Sequence, residues 1–190
     1  DFDGEQVFAK DGSASISLKD IGNRAMANNG KALEVTESHS SPVSPPPFMV
    51  GMAEIEMDQE TCDFELVNYV AVVDCGTPIN PAIARVQTEG GLGQGIGMAM
   101  FEDVTRSEKG QVYENSFMQY KLPTRVDVGN IRVEFESSYE PTGPFGVKSI
   151  GEVVINTPSP AIAAAVANAT GVQIRELPIT PEKIFKELHK

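Results

Sequence analysis

Five of the eight residues from Gly90 to Gly97 are glycine, yet they lie inside a stretch that otherwise reads as helix. Asn80 is a natural N-cap and Pro81 suits the first helical position, so a helix begins there. At about 1 kcal/mol per glycine against alanine, the run gives up on the order of 5 kcal/mol of helix propensity. A helix so weakened forms only where something outside it compensates. Gln87 and Gln94 share one face at about 100° per residue, and Gly90 and Gly91 fall between them. The result is two amides flanking a bare strip of backbone. Close packing against another helix and a polar ligand lying on the strip both suit that geometry.

A second stretch, Gly143-Pro144-Phe145-Gly146-Val147-Lys148-Ser149-Ile150-Gly151-Glu152, presents one carboxylate after two glycine-containing turns and before an alanine-rich apolar helix. Glycine lets backbone approach a ligand closely. A carboxylate that loses hydration gains basicity, which is how a Glu becomes a general base near neutral pH. The alternative is that Glu152 stands in the first helical turn, its charge complementing the helix dipole.

These segments together resemble the molybdenum hydroxylases, the xanthine dehydrogenase and aldehyde oxidase family, in the C-terminal part of their molybdenum-cofactor-binding subunit. The resemblance runs from Phe48 to Pro181. It takes in the strand pair Phe48 to Asp58 and Cys62 to Asp74, the Gln-x-Glu-Gly-Gly-x-x-Gln-Gly-Ile-Gly helix, and Tyr120-Lys121-Leu122-Pro123-Thr124 with Asp127. It continues through the Gly-Pro-Phe-Gly-x-Lys-x-x-Gly-Glu loop and Ala169-Thr170-Gly171-Val172 to Glu176-Leu177-Pro178. One departure is Val153-Val154, where the family usually has two prolines.

The resemblance implies an enzyme that hydroxylates an N-heterocycle or aldehyde with water-derived oxygen. Glu152 aligns with the family's general base, which removes a proton from a hydroxyl ligand of molybdenum. That oxygen attacks an electron-poor carbon while hydride passes to the metal's sulfido ligand. Gln87 matches a glutamine that hydrogen-bonds the pterin, and Gly151 fits backbone lying close to the metal's equatorial ligands. Gly90 and Gly91 belong to the cofactor strip. Asn80 and Gln94 either shape the cavity or serve as N-cap and packing amide. The implied cofactor is molybdenum-molybdopterin, plain or in its cytosine dinucleotide form, held by pterin sulfurs with no metal ligand from a protein side chain. Fe-S clusters and FAD are expected on other domains or subunits, together with the remaining molybdopterin-binding region as partner. Purines, aldehydes, nicotinate-like heterocycles and aromatic acyl-CoA esters all remain open as substrates. Standing alone, the chain is expected to be inactive, and a non-catalytic structural or assembly domain is the alternative function.

Composition narrows the rest. With 190 residues, 41% hydrophobic and 22% charged, the chain can bury one core or two small ones. Its start at Asp1 suggests a fragment or a split subunit. A net charge of -12 argues against nucleic-acid partners, which are met by basic patches. No apolar run approaches the roughly 20 residues that span a bilayer, so the expectation is a soluble, cytoplasmic protein with no membrane partner. Cys62 and Cys75 lie at opposite ends of one predicted strand, about 40 Å apart when extended, and are read as free thiols. His39 and His189 are read as solvated, and Met98 and Met100 as core filler.

Punctuation divides the chain. A small α/β unit over 1–38 is followed by a Ser/Pro linker at 39–47 and a molybdopterin-binding subdomain over 48–190. In the first unit we expect strands at Glu5 to Ala9, Ala14 to Leu18 and Ala32 to Glu37, with a helix from about Lys19 to Asn28. In the second we expect a hairpin around Asp58 to Thr61, the glutamine-bearing helix and a hairpin around Lys109-Gly110. A strand from Ile131 to Ser138 follows, then helices from about Pro160 and Pro181. The fold class is α+β, two-layer mixed sheets with packed helices, of the molybdenum-cofactor-binding-domain type.

Overall fold

The alternation of large apolar and other residues from Phe48 onward builds the central sheet. A computed structural model describes residues 1–190, apart from the side chain of Asn29. Strand β3, Phe48–Met57, pairs antiparallel with β4, Phe64–Asp74, with an irregularity between Glu54 and Ile55. Strand β5, Asn130–Phe135, lies parallel to β4 on its other side. Period-2 alternation sends Tyr69, Ala71, Val73 and Val133 into the core. The opposite face leaves Phe48, Val50 and Met52 at least 60% exposed.

Helices cover the inner face. α2, Pro81–Met100, contacts β5 and α3, Pro158–Thr170, and α3 packs on β3. α4, Pro181–Leu188, adds Ile184 to the shared core of Leu92, Ile96, Ile162 and Val166. Tyr69 reaches across this layer to donate to Thr157 Oγ1 at 2.8 Å. A Cβ on Gly51 would lie 2.0 Å from the Tyr69 hydroxyl, so glycine there makes room for the bond. The architecture is the expected two-layer α+β arrangement. No helix among the described residues is long and apolar enough to cross a membrane.

The first unit spans Asp1–Ser40 and the second Ser41–Lys190. In the first, β1, Gln6–Phe8, pairs antiparallel with β2, Ser15–Ser17, and α1 follows over Leu18–Asn29. Ser17 Oγ accepts from the Asp20 backbone N–H at 3.0 Å, and Gly30 ends the helix at φ 63°.

Several expectations are corrected. Ala32 to Glu37 forms no strand; Leu33 and Val35 stay exposed, and no neighbouring strand takes up the backbone groups. The hairpin expected around Lys109-Gly110 does form, as a short one: Arg106 and Val112 make a single antiparallel bridge, Ser107 N–H donates to the Gln111 carbonyl at 2.9 Å and Tyr113 N–H to the Thr105 carbonyl at 3.1 Å. The strand expected to Ser138 stops at Phe135. Met98 is half exposed, whereas Met100 packs against the core.

The glycine run in α2 divides by neighbour. A Cβ on Gly91 would come within 2.2 Å of Val154 Cγ2, and one on Gly95 within 2.5 Å of Pro158 and 2.8 Å of the Ile155 carbonyl. One on Gly90 would meet nothing within 4 Å. The lost helix propensity is therefore offset on one side by close packing against residues 153–158. Gly91→Ala is expected to lower stability by roughly 1 to 3 kcal/mol through overpacking. Gly90→Ala should raise it by roughly 0.5 to 1 kcal/mol. Urea midpoints for the two variants check this, and the reverse ranking would contradict it.

Candidate functional site

The segment from Gly143 to Asn156 is held in place by residues far away in sequence. Gly76 and Val147 form an isolated antiparallel bridge, Thr77 N–H donates to the Gly146 carbonyl at 2.9 Å, and Lys148 N–H donates to the Cys75 carbonyl at 2.7 Å. The loop is thus stapled to the chain leaving β4. Gly146 takes φ 81°, and a Cβ there would meet the Tyr139 ring at 2.4 Å. Phe145 beside it has φ 56°, a left-handed conformation that costs an ordinary residue about 1 to 2 kcal/mol.

An ion pair fastens the same staple from the side. Lys148 Nζ lies 2.7 Å from Asp74 Oδ2, and both side chains are largely buried, 11% and 19% exposed. Ser138 Oγ and the Gly76 backbone N–H donate to Asp74 Oδ1. The Lys148 bond first, then the Ser138 hydroxyl, bring the Asp74 carboxyl from 3.8 down to about 2. The neighbouring Cys75 is a buried free thiol, pushed up by burial first and by the Asp74 charge second. Cys62 is also free and buried.

Helix α2 supplies the second hold. Gln87 Nε2 donates to the Gly151 carbonyl at 2.8 Å, and Val154 and Ile155 press against Gly91 and Gly95. Between these holds, Gly151 and Glu152 form a ridge. On one side is an open cleft of about 650 Å³ lined by Glu152, Ser149, Asn156 and Pro47. On the other is an apolar cleft of about 440 Å³ lined by Gln87, Cys75, Ile79, Ile83 and Ile150. Gly151 borders both.

The sequence-derived candidates separate accordingly. Glu152 and Gln87 meet through Gly151 but face different clefts. Gly90 and Gln94 lie exposed on α2 and line neither cleft. Gly91 is corrected: it is buried against Val154, so the bare strip narrows to Gln87, Gly90 and Gln94. Asn80 is the N-cap, its Oδ1 accepting from the Ile83 backbone N–H at 3.1 Å, and it also lines the apolar cleft.

The helix-dipole expectation for Glu152 is corrected. Glu152 precedes a three-residue 3-10 turn, Val153–Ile155, and caps nothing with its side chain, while α3 starts only at Pro158. A helix-dipole role is therefore not available to it. It is also exposed, so the local loop does not strip its carboxylate of water. Among the described residues no hydrogen bond or ion pair engages that carboxylate. Sequence reasoning missed Asp74, Lys148 and Ser138 as the fastening of the site. Asp74 and Lys148 are 74 residues apart, and no local pattern announces their pairing.

Because folding lowers the Asp74 pKa, its contribution is complete above the unfolded value of 3.8 and is lost as pH falls through about 2. The amount is about 2 kcal/mol. Wild-type stability should fall across that window, and Asp74→Asn should fall less. Denaturation midpoints at pH 5 and pH 2 test this; identical acid dependence in both proteins would count against the ion pair.

Comparison with known proteins gives the chain a family. A family model described as a molybdopterin cofactor-binding domain matches residues 1–129. The chain is 34% identical over 177 residues to the putative xanthine dehydrogenase molybdenum-binding subunit of Escherichia coli, covering 92% of this chain and 24% of that protein. It resembles the structure of quinoline 2-oxidoreductase from Pseudomonas putida 86 with TM-score 0.68 and 36% identity, over 73% of this chain and 18% of that one. Reconstituted CO dehydrogenase from Oligotropha carboxidovorans gives TM-score 0.84 and 26% identity, over 98% of this chain and 24% of that one. The chain therefore spans about a quarter or less of the length of these relatives. With a family model matching well over half of its residues, the chain belongs to the molybdopterin cofactor-binding domains of the molybdenum hydroxylases.

Proposed function

We propose that this chain forms one wall of the cofactor site of a molybdenum hydroxylase and that Glu152 is the general base. One observation carries the reading: the Gly151-Glu152 ridge is fixed from three directions, yet the carboxylate at its crest has no partner among the described residues. Exposed carboxylates such as Glu65 and Glu136 also lack a partner among the described residues, so what sets Glu152 apart is the fixed backbone beneath it. A base needs that combination, a fixed backbone and an oxygen free to take a proton.

The surrounding residues suit a polar, ring-shaped group. Gln87, Gly90 and Gln94 leave an open face of α2 on which a pterin can lie, and Gly151 brings bare backbone to its edge, with no atom within 4 Å of a Cβ placed there. When bound, the molybdenum-molybdopterin group supplies the two-electron redox chemistry of hydroxylation. Glu152 takes up a proton at its carboxylate oxygen and releases it between turnovers. Ser149 and Asn156 line the same cleft and can orient a polar substrate edge toward that oxygen. An aldehyde or N-heterocycle is the proposed substrate class. Further domains or subunits, carrying the rest of the molybdopterin site, Fe-S clusters and flavin, would close the cleft and exclude water. The uncovered Phe48, Val50 and Met52 face of the sheet supports such a partner.

A non-catalytic structural or assembly role is the second reading, and the exposure of Glu152 on this chain favours it. One variant separates the two. Glu152→Gln in the assembled enzyme is nearly isosteric and should keep fold and molybdenum while slowing turnover roughly 100-fold to 10,000-fold. Near-normal turnover at full molybdenum content would end the assignment of Glu152 as base.

A further inference from the structure

We infer that Gln87 is a positioning residue for Glu152, acting through the Gly151 carbonyl. The inference rests on the reading of Glu152 as base. The Gly151 carbonyl and the Glu152 N–H belong to one planar peptide unit, so a bond that fixes the carbonyl also fixes the plane from which Glu152 leaves the backbone. Gln87 Nε2 makes that bond at 2.8 Å across 64 residues of sequence. The staple from Cys75 and Thr77 ends at Lys148, and the packing on Gly91 begins at Val154. Between Lys148 and Val154 the backbone crosses the ridge between two clefts, and Gly151 has open space where a side chain would be. Ile150 and Val153 pack against the core on either side, and Gln87 supplies the hydrogen bond that fixes the peptide plane between them.

The bond also sets the chemistry that Gln87 presents outward. A carbonyl only accepts, so the amide nitrogen must be the end that faces Gly151. The carbonyl end, Oε1, remains for the solvent side of α2, where Gln87 is exposed. That end accepts hydrogen bonds and favours a ligand group bearing N–H or O–H over an anionic oxygen. One side chain thus links the position of the base to the occupancy of the helix face.

Two variants divide the functions of the amide. Gln87→Glu keeps an acceptor and loses the donor, whereas Gln87→Lys keeps a donor and loses the acceptor. Hydrogen exchange of the chain without cofactor should show the Ile155 and Asn156 amides, which donate to Glu152 and Val153, opening roughly three- to tenfold faster in Gln87→Glu. They should stay near wild-type rates in Gln87→Lys, and the amides of β4 should be unchanged in both. Gln87→Glu as protected as wild type, or Gln87→Lys as fast as Gln87→Glu, would overturn the positioning bond. In the assembled enzyme Gln87→Glu should lower kcat with KM unchanged. Rapid exchange with an unchanged kcat would make the bond structural only and overturn its role in positioning. The exchange arm needs no turnover, so it stands or falls separately from the assignment of Glu152 as base.

Discussion

The Lys148–Asp74 ion pair is the fastening on which the site depends. It joins the end of the central strand β4 to the glutamate loop, and the backbone bridge between Gly76 and Val147 lies beside it. Two largely buried charges are costly to desolvate. Here Ser138 and the Gly76 backbone N–H satisfy the carboxylate further, so the pair locks one geometry and does not compete with water. Loss of Lys148 would leave Asp74 with its charge and without its main partner. The loop carrying Glu152 would then lose its anchor to the sheet, although no residue of the anchor touches the carboxylate itself.

The glycines of α2 are the second constraint. A helix with alanine at Gly91 or Gly95 would form more readily by itself but could not approach Val154, Ile155 and Pro158 as closely. Propensity is given up where the glutamate loop must press against the helix. At Gly90 the same loss gains no packing within the chain, since a side chain there would meet open space. That unexplained glycine, on the face that carries Gln87 and Gln94, is what a ligand lying on the helix would account for.

Much of this was legible in the sequence. Alternation gave β3 and β4 within about two residues of their observed ends, and Asn80-Pro81 and Thr180-Pro181 marked the starts of α2 and α4. The glycine run pointed to close approach, but not to its division between packing and open space, because a helical wheel cannot say which side meets a neighbour. Gly91 was misread for that reason. Ala32 to Glu37 has strand-like residues and no partner strand, and strand propensity without a ladder builds nothing. The Asp74–Lys148 and Gln87–Gly151 contacts join residues 74 and 64 positions apart, beyond any local pattern. For Glu152, the loop motif located the carboxylate but not its exposure, which depends on what covers the cleft.

In the proposed function, one frame made of the end of β4, α2 and the loop over 143–156 aims the Glu152 carboxylate at the reacting centre. Anomalous scattering at the molybdenum edge from crystals of the assembled enzyme locates that centre directly. The metal is expected beside the Glu152 carboxylate, close enough for a proton to pass between that carboxylate and a group at the metal, with the Lys148 and Gln87 contacts unchanged. Molybdenum located away from the Gly151-Glu152 ridge, or a loop rebuilt with those contacts broken, would contradict that expectation.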